Sequence, residues 1–156
     1  MLKKGVVVFD VDGVLLSSGC SEFDIEYSKN QIRQVVGLAF RNDYGLAINT
    51  ARLGIGSPLA NYLYSVGVDI TLIPSGAVQT GNINPKLKAK GMKKIQKAYG
   101  IDNKDRILFF DDKPENVAAV KKAGYDAALV KKTSGRGCLM ISDTDRIYAD
   151  KHFKVK

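Results

Sequence analysis

Alternating strand and helix patterns predict an α/β chain built on a doubly wound parallel sheet, about five strands with helices on both faces. Three observations carry this. Short continuous apolar runs, such as residues 6–9 (VVVF) and the run in "RILFF", suit strands buried on both faces. Segments of helical periodicity separate those runs. Prolines stand early in several of these segments, and Gly67, Gly100 and Gly124 stand at helix ends.

Taken in order, residues 6–9 form the first strand. Residues 30–41 place Ile32, Val35, Val36, Ala39 and Phe40 at helical spacing. "GLAINTA" reads as a strand ending near Asn49. "SPLANYLYSVG" reads as a helix with Ser57 as N-cap, Pro58 at the first helical position and Gly67 as the stop. "DITLI" reads as the third strand and "PSGAVQTGNIN" as a loop or small hairpin. Residues 86–99 form a helix closed by Gly100, "RILFF" the fourth strand, "PENVAAVKKAG" a helix and "YDAALV" the fifth strand. "TSGRG" is expected as a loop and "DTDRIYADKHF" as a short helix. With no repeat or linker, the 156 residues are expected to form one domain. Its core runs from about residue 4 to 131, with a C-terminal tail over 132–156.

Composition narrows the class. No apolar run approaches a membrane span, and no signal-peptide pattern with a cleavage site precedes the first strand. Cys20 and Cys138 lie far apart without metal-site spacing, so plain thiols and a cytoplasmic location are expected. The formal net charge is +8, divided as −1 over residues 1–80 and +9 over residues 81–156. Such a basic half suits either a solvated face or a polyanionic partner, nucleic acid or a phosphorylated substrate.

The chemistry gathers at one edge. In doubly wound sheets, ligands bind beyond the carboxyl ends of the strands. Asp10 and Asp12 follow strand one, Asn49 and Thr50 follow strand two, and Asp111 and Asp112 follow strand four. A lysine of the 86–99 helix can reach the same edge. Carboxylates converging from two strand ends repel unless a cation lies between them, and hard oxygen ligands suit Mg²⁺. With a hydroxyl and a lysine for phosphate contacts, this describes phosphoryl transfer to a carboxylate nucleophile. Gly13 fits a sharp turn after the acids.

"FDVDGVL", "INTAR", a lysine in "NPKLKAKGMKKI" and "FFDDKPEN" together resemble the haloacid dehalogenase superfamily of phosphotransferases. The likeness spans residues 6–116, and its fold reaches about residue 130. The resemblance implies that Asp10 attacks phosphorus to form an aspartyl-phosphate, while Asp12 protonates the leaving group and then activates water. Thr50, Ala51 and the lysine would be the phosphate-binding positions. Asp10, the Asp12 backbone carbonyl and Asp112 would hold Mg²⁺, with Asp111 beside them. An acid at position 12 implies a phosphatase or mutase, since the related ATPases and dehalogenases lack it.

Two lysines compete. Lys88 shares a stripe with Met92, Ile95 and Tyr99 and so points to the core side near the helix start. Lys86 is the alternative, because capped relatives place this lysine beside a proline at about that position. Lys86, Lys90, Lys93 and Lys97 otherwise read as a solvated face. Asn116 reads as a residue that orients Asp112 or as an exposed helix residue, Arg52 reads as a phosphate contact or a surface residue, and His152 in the tail is given no catalytic role.

The 37 residues between Asp12 and Thr50 hold only a loop and one helix, and the segment before the lysine helix is also short. The chain therefore looks capless. An open site suits large substrates, such as polynucleotide 3′-phosphate ends or phosphoproteins. The alternative is a small sugar phosphate whose site another subunit closes, and monomer or homo-oligomer stays undecided. "FDVDGVL" and "SGRG" resemble the sugar-acid 8-phosphate phosphatases, while the middle of the chain does not. "FFDDKPEN" resembles the capless magnesium-dependent phosphatases. A receiver-like phospho-acceptor or a non-catalytic nucleic-acid-binding protein are the other classes weighed. A receiver would carry its acidic pair after strand one and its phosphorylated aspartate after strand three, and here the order differs.

Overall fold

Gly5–Phe9 (β1), Tyr44–Asn49 (β2) and Ile107–Asp111 (β4) are buried at every position. Strands covered on both faces read as continuous apolar runs. In the computed structural model, which describes residues 3–132 and 139–155, these three lie at the centre of an all-parallel sheet. Val78–Gln79 (β3) and Asp126–Leu129 (β5) complete it in the order β3-β2-β1-β4-β5. This is the arrangement of one Rossmann half, extended beyond β1 by β4 and β5. It differs from the 2-1-3-4-5 order of flavodoxin-like sheets such as the receiver CheY.

The helices are α1 (Glu22–Arg41), α2 (Ser57–Ser65), α3 (Pro85–Tyr99), α4 (Pro114–Lys122) and α5 (Asp143–Val155). α1 packs on α5, and α3 packs on α4. Successive residues of a strand face opposite sides. Tyr44 stacks edge-on with Phe153 of α5, whereas a Cβ at Gly45 would strike the ring of Tyr99 from α3. The two helix pairs therefore cover opposite faces. α5, within the stretch set apart as a tail, buries Ala149, His152 and Phe153. His152 lies between Asp126, 2.5 Å from its Nδ1, and the Tyr44 hydroxyl, 3.2 Å from its Nε2.

Several sequence expectations shift. "DITLI" is not a strand: Ile70–Leu72 is a 3-10 turn. The Asp69 carboxylate accepts from the Thr71 amide at 3.0 Å and from its hydroxyl at 2.6 Å. This local capping wins over a β-branched composition. The third strand lies instead in the segment expected to be a loop or hairpin. It pairs through Ile48↔Val78 and Asn49↔Gln79. α1 begins eight residues before the expected residue 30, at Glu22. There the Ser21 hydroxyl accepts from the Asp24 amide, with Glu22 and Asp24 in the first turn. Gly56, not Ser57, is the N-cap of α2. Cys20 is disulfide-bonded and not the plain thiol expected, so the cysteines do not argue for a reducing compartment. Cys138 and the "TSGRG" stretch lie outside the described residues. No helix among the described residues is long and apolar enough to cross a membrane.

Candidate active site

The parallel ladder carries Asp10 to the carboxyl edge, where its amide still donates to Phe110 O at 3.0 Å. The chain then turns back on itself over residues 11–16. The amides of Leu15 and Leu16 donate to Val11 O, at 2.9 and 3.1 Å. Gly13 sits in this turn at φ 80°. A Cβ there would collide with the Asp112 carboxylate, so the missing side chain makes room for Asp112.

Asp10, Asp111 and Asp112 converge, each offering a carboxylate oxygen within 4.8 Å of the others. Lys88 enters the same cluster from the first turn of α3. Its ammonium lies 3.0 Å from Asp10 Oδ1, 2.7 Å from Asn49 O and 3.5 Å from Asp111 Oδ2. The first two contacts are hydrogen bonds and the third is an ion pair, which leaves one of the three ammonium donors for a further acceptor. The Lys88 side chain is 2% exposed. Unpaired, a charge so placed would be costly, and two carboxylates compensate it.

Lys88 is fixed from both ends. The Asn49 side-chain amide donates to Lys88 O at 2.9 Å, and its oxygen accepts from Asn82 Nδ2 at 2.8 Å. α3 comes this close because residue 91 is glycine: a Cβ there would lie 2.6 Å from Asn82 Nδ2. The helix starts at the site because the Asn84 side chain caps it, accepting from the Leu87 amide, with Pro85 following.

The carboxylates differ in setting. Asp10 Oδ1 accepts from the Val11 amide and from Lys88, while Oδ2 has no protein donor among the described residues. Burial pushes the Asp10 carboxyl up to about 6, opposed by Lys88 and reinforced by Asp111. Asp112 is raised as well, by burial first and by repulsion from Asp111. Asp111 is fully buried. Its oxygens accept from the Lys113 amide at 2.9 Å and from Asn116 Nδ2 at 3.1 Å. Asn116 thus orients Asp111, and not the Asp112 for which it was a candidate.

Three carboxylates against one ammonium leave two net negative charges when all are ionised, the complement of one divalent cation. The donors are hard oxygens, as Mg²⁺ requires. The residues therefore fit the expected metal.

Asp12 stands apart. Its carboxylate is 60% exposed and is gripped at both oxygens by Arg52, Nε to Oδ2 at 2.9 Å and Nη2 to Oδ1 at 2.9 Å. This bond raises the already high guanidinium pKa. Thr50 is buried at the end of β2. Its hydroxyl accepts from the Arg52 amide at 3.1 Å, which leaves the O–H proton for another acceptor. Ala51 lines the site cavity of about 110 Å³ with Asp10, Lys88, Lys113 and Glu115. Lys86 is exposed and makes no ion pair with the cluster. Sequence reasoning missed Asn82 and the Arg52 grip on Asp12, and no local pattern marks either.

No family model matches the chain. A curated enolase-phosphatase E1 from Yarrowia lipolytica is 36% identical over 69 residues, 44% of this chain and 29% of that protein. The chain thus matches less than a third of that relative's length. Among solved structures, an uncharacterized protein from Corynebacterium glutamicum superposes with a TM-score of 0.64 at 18% identity. That match covers 97% of this chain and 96% of the other. A β-phosphoglucomutase from Clostridium difficile gives 0.59 at 12% identity, covering 99% and 98%. A probable YrbI family phosphatase from Pseudomonas syringae gives 0.54 at 13% identity, covering 97% and 86%. At these identities the structural likenesses establish the fold.

Proposed function

We propose that this chain, a member of the haloacid dehalogenase superfamily, is a Mg²⁺-dependent phosphatase working through an aspartyl-phosphate on Asp10. One observation carries the reading: a buried lysine and a buried aspartate are paired inside a cluster of three carboxylates. That cluster lies beside the hydroxyl-bearing end of β2. The likeness to an enolase-phosphatase supports hydrolysis of a phosphate ester.

Asp10 and Asp112, with Asp111 beside them and the Asp12 backbone carbonyl, would hold Mg²⁺, which supplies the positive charge that lets a carboxylate approach an anionic phosphate. Lys88, the Thr50 hydroxyl and the backbone at Ala51 hold phosphate oxygens. Asp10 attacks phosphorus and forms a P–O bond. The bond to the leaving oxygen breaks, and that oxygen takes a proton from Asp12, which for this step carries an O–H on an oxygen that one of the two Arg52 bonds has released. As a carboxylate, Asp12 then accepts a proton from water, whose oxygen attacks the same phosphorus. The bond to Asp10 breaks, and inorganic phosphate leaves. Arg52 fixes where the Asp12 carboxylate can stand.

The test is p-nitrophenyl phosphate hydrolysis with Mg²⁺ for wild type and Asp10→Asn. Loss in the variant is expected, since an amide cannot form the acyl phosphate. Retained turnover, or full wild-type activity in excess EDTA, would sink the mechanism.

For the substrate, the 60% exposure of Asp12 favours an open site and a large phosphorylated molecule. A small phosphorylated metabolite is the second reading, favoured by one observation. Leu53, three residues beyond Thr50, is 89% exposed, and Ile83 on the site cavity is 70% exposed. A second copy of the chain could cover these side chains and close the site. Specific activity rising with protein concentration would support that arrangement.

A further inference from the structure

We infer that the α3–α4 face is a binding track for single-stranded nucleic acid, leading a terminal phosphate into the Asp10 site; the delivery step rests on the phosphatase reading above. α3 carries six lysines and no acid. Five are exposed, and Lys86, Lys90, Lys93 and Lys97 recur at one helical face. Like charges at this spacing destabilise a helix. Lys86 moreover stands in the first turn, where the helix dipole disfavours a cation. α1, α4 and α5 open with acidic residues, and α2 opens with no charged residue.

No described residue forms an ion pair with this row. Lys3, Lys29 and Lys154 pair with Asp43, Glu26 and Asp150. Lys86, Lys90, Lys93 and Lys97 have no side-chain partner among the described residues. The row borders a furrow. A cavity of about 290 Å³ between α3 and the end of α4 is lined by Lys86, Lys90, Lys93 and Lys104. It shares Lys93 and Lys104 with a cavity of about 530 Å³ that reaches Lys97. At the other end Pro85, beside Lys86, lines the site cavity with Asp10 and Lys88. The acids bordering the track are Glu115 at the site and Asp102 at the far end.

Lysines on successive turns stand roughly 4.5–6 Å apart along the helix axis. A polymer with a charge on every repeating unit matches such a row, and an acidic peptide with irregular charge matches it less well. A single strand is the occupant because one helix face supplies one line of contacts.

The experiment measures fluorescence anisotropy of a labelled oligonucleotide bearing a terminal phosphate, against salt. Four phosphate contacts predict a log–log slope of about −3, hence roughly 50-fold weaker binding between about 50 and 200 mM salt. The double variant Lys93→Gln/Lys97→Gln should lose about half of that slope, and Lys154→Gln none of it. Terminal phosphate release from the oligonucleotide should exceed that from a mononucleotide in wild type, and this advantage should shrink in the double variant and stay unchanged in Lys154→Gln. Salt-insensitive binding, or equal losses in the double variant and Lys154→Gln, would overturn the track. An acidic phosphopeptide bound with the same lysine dependence would overturn its assignment to nucleic acid. Oligonucleotide binding with these signatures but no p-nitrophenyl phosphate turnover would support the track and fail the phosphatase reading.

Discussion

Arg52 holds Asp12 by two parallel bonds, Nε to Oδ2 and Nη2 to Oδ1, each 2.9 Å, across 40 residues of sequence. A bidentate guanidinium–carboxylate pair fixes direction as well as distance. The proposed acid therefore stands outside the three-carboxylate cluster, at a set orientation.

Removing Asp12 or its clamp should act on proton transfer. Asp12→Asn is expected to lower turnover by about 10²–10⁴-fold. Arg52→Ala should cost less, and Arg52→Lys should fall between wild type and Arg52→Ala, because lysine keeps the charge and loses the fork. The Arg52→Ala loss should be greater for an alkyl phosphate, whose alkoxide needs a proton to leave, than for p-nitrophenyl phosphate. Equal rates for wild type and Arg52→Ala on both substrates would separate the clamp from catalysis.

Lys88→Ala strips the partner from Asp10 and from Asp111 inside a buried cluster. Breaking a buried pair costs about 3–5 kcal/mol, and loss of one charged phosphate contact costs about 10²–10³-fold in turnover. Lys86→Ala should be near neutral for p-nitrophenyl phosphate. Denaturant unfolding and initial rates of the two variants check this, and a damaging Lys86→Ala would move the phosphate lysine to position 86.

The pH dependence of the metal-free protein follows from Asp10. Its folded pKa of about 6 lies above the ordinary 3.8. The folded state therefore binds the proton more tightly, and Asp10 contributes stability that is present below pH 3.8 and lost as pH rises through about 6. Relative to wild type in EDTA, Asp10→Asn should gain stability across that window, on the order of 1–3 kcal/mol, and then level off. Urea unfolding at several pH values measures it. A flat difference would show that Asp10 titrates near its ordinary value.

Gly13→Ala places a Cβ against Asp112 at a positive φ. It should cost about 1–2 kcal/mol through the backbone alone. It should also shrink the rise in melting temperature that Mg²⁺ produces, because Asp112 must move. Thermal unfolding with and without Mg²⁺ reads both effects. An unchanged Mg²⁺ shift would remove Asp112 from the metal site.

The sequence alone determined the elements whose signal is local and repeated. β1 and β4 are apolar runs ending in aspartates, and such runs must be buried on both faces. α3 declares itself through Asn84, Pro85 and Gly100, and Lys88 through its place on an apolar stripe. Where signals were local but mixed, the reading slipped. Asp69 turns a β-branched stretch into a 3-10 turn, and β3 has only two residues, too short for periodicity to show. The tertiary structure alone decided which atoms meet. The Arg52 grip on Asp12, Asn116 turned to Asp111, Asn82 bracing Asn49, and His152 seated between Asp126 and Tyr44 all join distant segments. Periodicity records which face of an element is buried, whereas the partner of a buried polar group depends on how separate elements pack, and no single segment carries that information.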